Sequence, residues 1–247
     1  MRFEIYLESG PQHRKTWVYV PSLPGCSTVA PASELAVEMA RIAIRGRADF
    51  LRRHGDPLPD PEPIEPVVAD HVIERRMLGF GQGVFATDLE PLTPDEVDRQ
   101  LRWAGWSREE LVSAARAQQL PLVARPPSGG RSAAAILSHV AGAEWSYVSS
   151  TLGTLAGGSA AMAAIERAGE DPWAALGAER ESLMARLRAM TPEELVRVTE
   201  RGEGRPARTA RRMLRRLLEH EWEYVLELRA RLDYATHEPE TATAPTR

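Results

Sequence analysis

The hydrophobic pattern of this chain changes its period near residue 92, and this change most restricts the folds available to it. Residues 2–8 alternate apolar and polar side chains, which is typical of a strand with one buried face. After the change, apolar residues recur at spacings of three and four, which indicates amphipathic helices. With 247 residues the chain is long enough for two domains. We therefore predict an α+β module over residues 1–88 and an all-α four-helix bundle over residues 92–235.

The first module is predicted to have the element order β-β-α-β-β. Residues 15–20 are β-branched and aromatic, and a turn-rich link joins them to the first strand, so the two form a predicted hairpin. A helix is predicted to start near Ser33, followed by a proline-rich connector. Further strands are predicted over residues 70–77 and 84–87. This order predicts one small sheet that a single helix covers on one face.

The second module carries several helix-start signals. Thr93-Pro94-Asp95-Glu96 and Ser107-Arg108-Glu109-Glu110 both resemble capping boxes, so we predict two helices here, separated near Gly105. Later helices are predicted to start at Ser132, Asp171 and Thr191, with a turn at Gly157-Gly158-Ser159 and a last helix from about Ala207 to Tyr234. Medium-length loops between four main helices favour a bundle. Residues 236–247 are rich in Thr, Ala, Pro and Glu, and are predicted to be a disordered tail.

Composition restricts the compartment and the partners. Acidic and basic residues nearly cancel, with a net charge of -4, so the overall charge does not favour nucleic acid as a partner. The arginines at the start of the last helix are predicted to form a solvated face, and these are Arg208, Arg211, Arg212, Arg215 and Arg216. The single cysteine, Cys26, cannot form an internal disulfide and fits a reducing, cytoplasmic compartment. No apolar run approaches about 18 residues, so no membrane span is expected.

Two short motifs flank the helix of the first module. They are Leu23-Pro24-Gly25-Cys26-Ser27-Thr28 and His54-Gly55-Asp56-Pro57-Leu58-Pro59. Together with the alanine-rich helix between them, they resemble the HicB-type antitoxin module over about residues 1–88. The resemblance implies a partial RNase-H-like sheet with one helix, and a protein partner, because such modules neutralise a small ribonuclease toxin. An acidic cluster with the spacing of RNase H is missing, so we predict a binding or oligomerisation unit in preference to a catalytic one.

Two segments of the second module carry the main chemical signal. They are Ile136-Leu137-Ser138-His139-Val140-Ala141-Gly142-Ala143-Glu144-Trp145-Ser146-Tyr147 and Met213-Leu214-Arg215-Arg216-Leu217-Leu218-Glu219-His220-Glu221-Trp222-Glu223-Tyr224. They resemble the DinB-like metal-binding four-helix bundles, whose relatives include the maleylpyruvate isomerase-like proteins. In that family, one helix supplies a histidine and the last helix supplies a His-x-x-x-His pair. The three imidazoles bind a divalent metal and leave positions open for water or a thiol cofactor.

The resemblance places a metal site on His139, His220 and Tyr224. Positions 220 and 224 lie one helical turn apart and can face one ion, and nickel or zinc suits neutral imidazoles. This chain has tyrosine where the family has its third histidine, so Tyr224 would act as a phenolate ligand or as a proton donor. Helical spacing argues against help from Glu221 or Glu223. The alternative is that both histidines are core residues, bonded to Tyr224.

Two functions follow from these resemblances. In the first, the chain is a DinB-like bundle with a degenerate divalent-metal site and a HicB-like binding module, and it acts by association. In the second, it is a metal- and thiol-dependent transferase or hydrolase, so the sequence leaves open whether it is an enzyme. DinB-like bundles often dimerise, and this implies a homodimer. Metal content distinguishes the two functions.

Overall fold

A computed structural model describes most of the chain. The described residues are 1–73, 83–127, 129–155, 157–202 and 206–237, with the side chains of the last helix described to residue 232. The described strands are β1 (Arg2–Ser9), β2 (Thr16–Tyr19), β3 (Ser27–Ala30) and β4 (Glu65–Ile73). The described α-helices are α1 (Ala36–Arg53), α2 (Pro94–Arg116), α3 (Ala133–Leu152), α4 (Gly158–Ala168), α5 (Trp173–Arg188), α6 (Pro192–Val196) and α7 (Ala210–His237). Of the predicted tail, residues 238–247 lie outside the described part of the chain.

The sheet has the strand order β3-β2-β1-β4. β1 pairs antiparallel with β2 and parallel with β4, and β3 continues the antiparallel meander from β2. α1 follows β3 and packs against all four strands of this sheet. The predicted small sheet under one helix is thus confirmed, and the chain is a mixed α/β protein.

The predicted strand order is wrong in two places. β3 precedes α1, so three strands and not two come before the helix. It has only four residues and no clear alternation, which is why its periodicity gave no signal. Residues 84–87 do not form a strand, because the chain turns there into a short 3-10 helix over Ala86–Leu89. The Asp88 carboxylate accepts a hydrogen bond from the backbone N–H of Phe85 at 3.0 Å and stabilises this turn. The predicted strand over 70–77 corresponds to β4, which begins at Glu65, and its residues 74–77 lie outside the described part.

α2 is one continuous helix, and the predicted break near Gly105 is wrong. Its N-terminal cap is as predicted, because Thr93 Oγ1 accepts from the backbone N–H of Glu96 at 3.2 Å. The second start signal lies inside the helix, where Ser107 is fully buried. Trp103, 1% exposed, and Leu111, 0% exposed, anchor α2 on both sides of the glycine. Their burial offsets the roughly 1 kcal/mol that a glycine costs within a helix.

Most of the remaining helices begin where the sequence predicts. α3, α5, α6 and α7 match the predicted starts, whereas α4 replaces the predicted turn at Gly157-Gly158-Ser159 with a helix that begins at Gly158. α2, α3, α5 and α7 pack on one another, with α7 in contact with both α2 and α3. None of the described helices is both long and apolar enough to cross a lipid bilayer.

One hydrophobic core joins the sheet region to the helices. The Phe50 ring of α1 lies 4.5 Å from the Trp222 ring of α7, measured between centroids. Beside them the fully buried Arg47 donates to Ser107 Oγ and to the Pro24 carbonyl, each at 3.2 Å, and its guanidinium lies 4.8 Å from the Trp222 ring centroid. The sheet-bearing part is therefore packed on the bundle, and the division into domains at residues 88–92 stays a prediction.

Candidate functional site

α3 and α7 bring the three sequence-predicted site residues into one aromatic cluster. The ring centroids of His139 and His220 are 5.0 Å apart, and Tyr224 lies 5.4 Å from His139 and 5.1 Å from His220. His220 and Tyr224 share a face because they are one turn apart on α7. His139 reaches them because α3 packs against α7. We call these three residues the histidine cluster.

Two further side chains complete the surroundings of this cluster. Arg131, just before α3, donates from Nη1 to the Tyr224 hydroxyl at 2.8 Å. The Tyr147 ring meets the His220 ring edge-on, with 5.9 Å between centroids. Nothing in the sequence pointed to Arg131, because its contact with Tyr224 joins positions 93 residues apart.

Electrostatics keep both imidazoles neutral at physiological pH. Burial, together with the positive charge of Arg216 and the proximity of His139, lowers the pKa of His220 to about 3. Burial and Arg131 likewise lower the pKa of His139. In addition, the buried Nδ1 of His220 has no hydrogen-bond partner among the described residues. A neutral imidazole with an unpartnered nitrogen is the form that binds a metal ion or a proton donor.

A cavity of about 570 Å³ adjoins the cluster between α3 and α4. His139 lines it together with mainly apolar side chains, among them Met162 and Ile165, and with Glu166. Such a volume lies within the range of about 300–1,000 Å³ that is usual for small-molecule sites. The sequence could not reveal this cavity, because its wall is the unpredicted helix α4.

The cluster fits a divalent metal through its two histidines. Imidazoles that share a tetrahedral Zn²⁺ at about 2.0–2.1 Å have ring centres roughly 5 Å apart, close to the observed spacing of His139 and His220. Tyr224 fits less well, since burial raises the pKa of its phenol and Arg131 already donates to its oxygen. Among the described residues, no group of three or more His, Cys, Asp or Glu side chains is placed to hold an ion. The protein ligands would thus number two, or three if Tyr224 ionises.

A second polar group, which the sequence analysis missed, lies inside the bundle. Arg108 of α2 donates to Glu144 of α3 at 2.5 Å and to Glu221 of α7 at 2.6 Å. Arg180 of α5 donates to the other oxygen of each carboxylate, at 2.7 Å and 3.1 Å. Both glutamates are fully buried, so four helices are joined by a closed ring of ion pairs. Glu144 and Glu221 are therefore occupied in this ring and do not approach the histidine cluster.

Glu179, beside this ring, is buried without a hydrogen-bond partner for either carboxylate oxygen among the described residues. Burial and the neighbouring carboxylate of Glu144 raise its pKa to about 7, against the opposing effect of Arg108. The sequence offered no reason to select this group, because its members come from helices far apart in the chain.

The predicted solvated face of arginines on α7 is wrong for two of its members. Arg215 is 2% exposed and Arg216 is 3% exposed. Arg215 forms a fork with both carboxylate oxygens of Asp88, each at 2.7 Å, and also donates to Glu219 at 3.0 Å. Arg215 is buried because the segment before α2 folds back over the start of α7. Arg216 instead lies against the Tyr147 ring of α3.

Comparison of the chain with models of known protein families, with curated proteins and with solved structures finds no match.

Proposed function

We propose that this chain is a DinB-like bundle that binds a divalent metal, nickel or zinc, at His139 and His220, and that carries a HicB-like binding module. The observation that supports the metal is the histidine cluster itself. Its three residues were selected from two sequence segments about 80 positions apart, and they meet with ring centroids 5.0–5.4 Å apart. Tyr224 takes the third position of the set.

The local chemistry supports an exchangeable site. Both imidazoles are neutral, so binding requires no proton release from them. A metal held by only two strong ligands keeps open positions for water or a low-molecular-weight thiol, whose pKa it would lower. Arg131 holds the Tyr224 hydroxyl and places a positive charge near the cluster, which favours an anionic group beside it.

The second candidate is a metal- and thiol-dependent transferase or hydrolase. The cavity of about 570 Å³ favours it, because His139 lies on the cavity wall and a substrate there would reach the cluster. Met162 and Ile165 would bind an apolar portion of that substrate. Turnover of a thiol-dependent reaction by metal-loaded protein separates this candidate from a binding role.

The first module offers a surface for a partner. β4 is an edge strand of the sheet, and it exposes Val67, Val68 and Ile73 by 37%, 44% and 50%. Exposed apolar edge strands pair readily with another chain. We therefore propose that a protein partner, or a second copy in a homodimer, docks on this edge. Light scattering of the wild type and of Val68→Lys tests this, and a wild-type monomer would contradict the homodimer.

Elemental analysis of protein purified without a His-tag tests the metal site. We expect about one equivalent of nickel or zinc in the wild type and its loss in His220→Ala, because two ligands become one. His54→Ala is the matched control, since His54 stacks on Trp106, outside the cluster, with ring centroids 5.3 Å apart. Tyr224→Phe decides whether the phenol is a ligand. No metal in the wild type, even after reloading, would show the histidines to be core residues.

A further inference from the structure

Two further histidines meet at one end of the sheet. His13 lies in the turn between β1 and β2, and His71 lies on the edge strand β4. Their ring centroids are 5.1 Å apart, and the ring planes are perpendicular, with an angle of 90° between them. Both side chains are half-buried, so small ions can reach them from solvent. We call these two residues the sheet histidine pair.

The strand register explains why these residues meet. His71 is paired with Leu7 of β1, and Ser9 lies two positions further along β1, so the side chains of His71 and Ser9 share one face of the sheet. Ser9 is in turn paired with Thr16, the first residue of β2. The turn that carries His13 therefore leaves the sheet beside the end of β4.

One ring nitrogen of each imidazole is held by a serine hydroxyl. Ser9 Oγ lies 2.8 Å from His71 Nε2, and Ser33 Oγ lies 3.2 Å from His13 Nδ1. Ser9 is fully buried, and Ser33 is itself held by Thr16 Oγ1 at 2.7 Å. Among the described residues, no hydrogen bond engages the two remaining nitrogens, His13 Nε2 and His71 Nδ1. Histidines that bind metal ions show this arrangement, in which a polar group on the second nitrogen fixes the orientation of the ring.

The backbone of His13 is held in an uncommon conformation. Its φ of 52° lies in the left-handed region, which residues other than glycine seldom adopt. Its N–H donates to the Gly10 carbonyl at 3.0 Å, and its carbonyl accepts from the Ser33 N–H at 3.2 Å. These two hydrogen bonds fix the turn, so little conformational entropy is left for a ligand to remove when it binds the His13 ring.

We propose that the sheet histidine pair binds a divalent transition-metal ion of the zinc class through His13 Nε2 and His71 Nδ1, with water in the other positions. Two imidazoles on one tetrahedral Zn²⁺ have ring centres about 5 Å apart, close to the observed 5.1 Å. Imidazole suits zinc, nickel and copper, whereas magnesium and calcium prefer oxygen ligands. With the metal bound, His13 Nδ1–H would donate to Ser33 Oγ, and His71 Nε2–H would donate to Ser9 Oγ.

The electrostatics of His71 agree with this role. Burial and the neighbouring His13 lower the pKa of His71, against the opposing effect of Asp70, so its imidazole is neutral at pH 7 and can bind a metal without releasing a proton. The bound ion would join the β1–β2 turn to the edge strand β4, and it would stabilise the folded state because the unfolded chain does not hold the two rings together. The pair shares no residue with the histidine cluster, so this proposal does not depend on a metal there.

The test is calorimetric titration of ZnCl2 into full-length protein that has been freed of metal. We expect about two equivalents in the wild type, one at each histidine site, and about one in His71→Gln, whose amide is a poor zinc ligand. His13→Asn should lose the same equivalent, and it preserves the turn because asparagine tolerates the left-handed region. The matched control is His54→Ala, whose ring stacks on Trp106, and it should bind as much zinc as the wild type.

Ser33→Ala tests the orienting hydroxyl separately from the ligands. It leaves both imidazoles in place, so the equivalent should remain but bind about tenfold more weakly, and an unchanged affinity would contradict the role given to Ser33.

His220→Ala separates this site from the histidine cluster. It should keep about one equivalent, which the double variant with His71→Gln then loses. If the histidine cluster binds no metal, the wild type takes up about one equivalent, and His220→Ala keeps it whereas His71→Gln does not. The sheet histidine pair is not a metal site if the wild type, His13→Asn and His71→Gln bind equal amounts of zinc, or if excess Mg²⁺ displaces the zinc.

Discussion

The ion-pair ring inside the bundle yields a quantitative prediction about Glu144→Ala. Glu144 is fully buried, and each of its oxygens accepts a hydrogen bond from a different guanidinium, Arg108 on one side and Arg180 on the other. Among the described residues, removing it leaves Glu221 as the one carboxylate that is hydrogen-bonded to both buried cations. Breaking a buried pair in this way typically costs about 3–5 kcal/mol, because the remaining charge is uncompensated. Helix propensity opposes the loss, since alanine is the better helix former.

The matched control is Glu227→Ala, the same substitution on a helix but at the surface. Glu227 pairs with Arg231, and its side chain is 42% exposed, so its loss should cost at most about 1 kcal/mol. For a chain of this size, each kcal/mol corresponds to about 2–4 °C in Tm. We therefore expect Glu144→Ala to lower Tm by about 6–20 °C, and Glu227→Ala to lower it by about 4 °C or less.

Urea denaturation and thermal melts followed by circular dichroism measure both variants. Glu144→Gln is the intermediate case, because its amide keeps the volume and one acceptor oxygen but loses the charge. Equal free energies of unfolding for Glu144→Ala and Glu227→Ala would refute the reasoning, since the ring would then contribute no more to stability than a surface ion pair does.

Two further predictions concern the same core. Between pH 4.5, the ordinary pKa of a glutamate, and about pH 7, Glu179 is protonated in the folded state and ionised in the unfolded state. The folded state therefore binds one more proton, and the free energy of unfolding decreases as the pH rises through this window. Relative to that of the wild type, the free energy of unfolding of Glu179→Gln in urea denaturation should therefore increase by up to about 3 kcal/mol between pH 5 and pH 8. A difference that does not change with pH would contradict this. A fragment of residues 92–235 should lose its cooperative melt, because it exposes Trp222, which packs on Phe50. A cooperative melt at the wild-type Tm would instead confirm residues 92–235 as a separate domain.

Local signals predicted much of the secondary structure. The alternation in β1 and the capping boxes at Thr93 and Thr191 involve residues close together in sequence, so they could be recognised without a structure. The signals that failed were also local. The serine at position 107 resembled a helix start, yet it lies inside α2, where tertiary packing outweighs the cap preference.

The candidate site also contains some features that could be identified from the sequence and others that could not. His139, His220 and Tyr224 could be selected because the two segments that contain them resemble the metal-binding motifs of a known family. The cavity beside them could not, since it depends on α4, and neither could Arg131, whose contact with Tyr224 joins positions 93 residues apart. Such contacts have no periodic trace in the sequence.

By itself, the sequence determined the first hairpin, the start of most helices, the change from sheet to helices near residue 92, and the choice of His139, His220 and Tyr224 as candidate site residues. Only the tertiary structure decided which charged residues are buried. Arg47, Arg215 and the ring around Glu144 resemble solvated residues in sequence, and they are buried because their partners come from distant segments, as with Arg108 and Glu221, which are 113 positions apart. A charge is buried only where a counter-charge or other polar partners compensate it, and here chain topology brings those partners together.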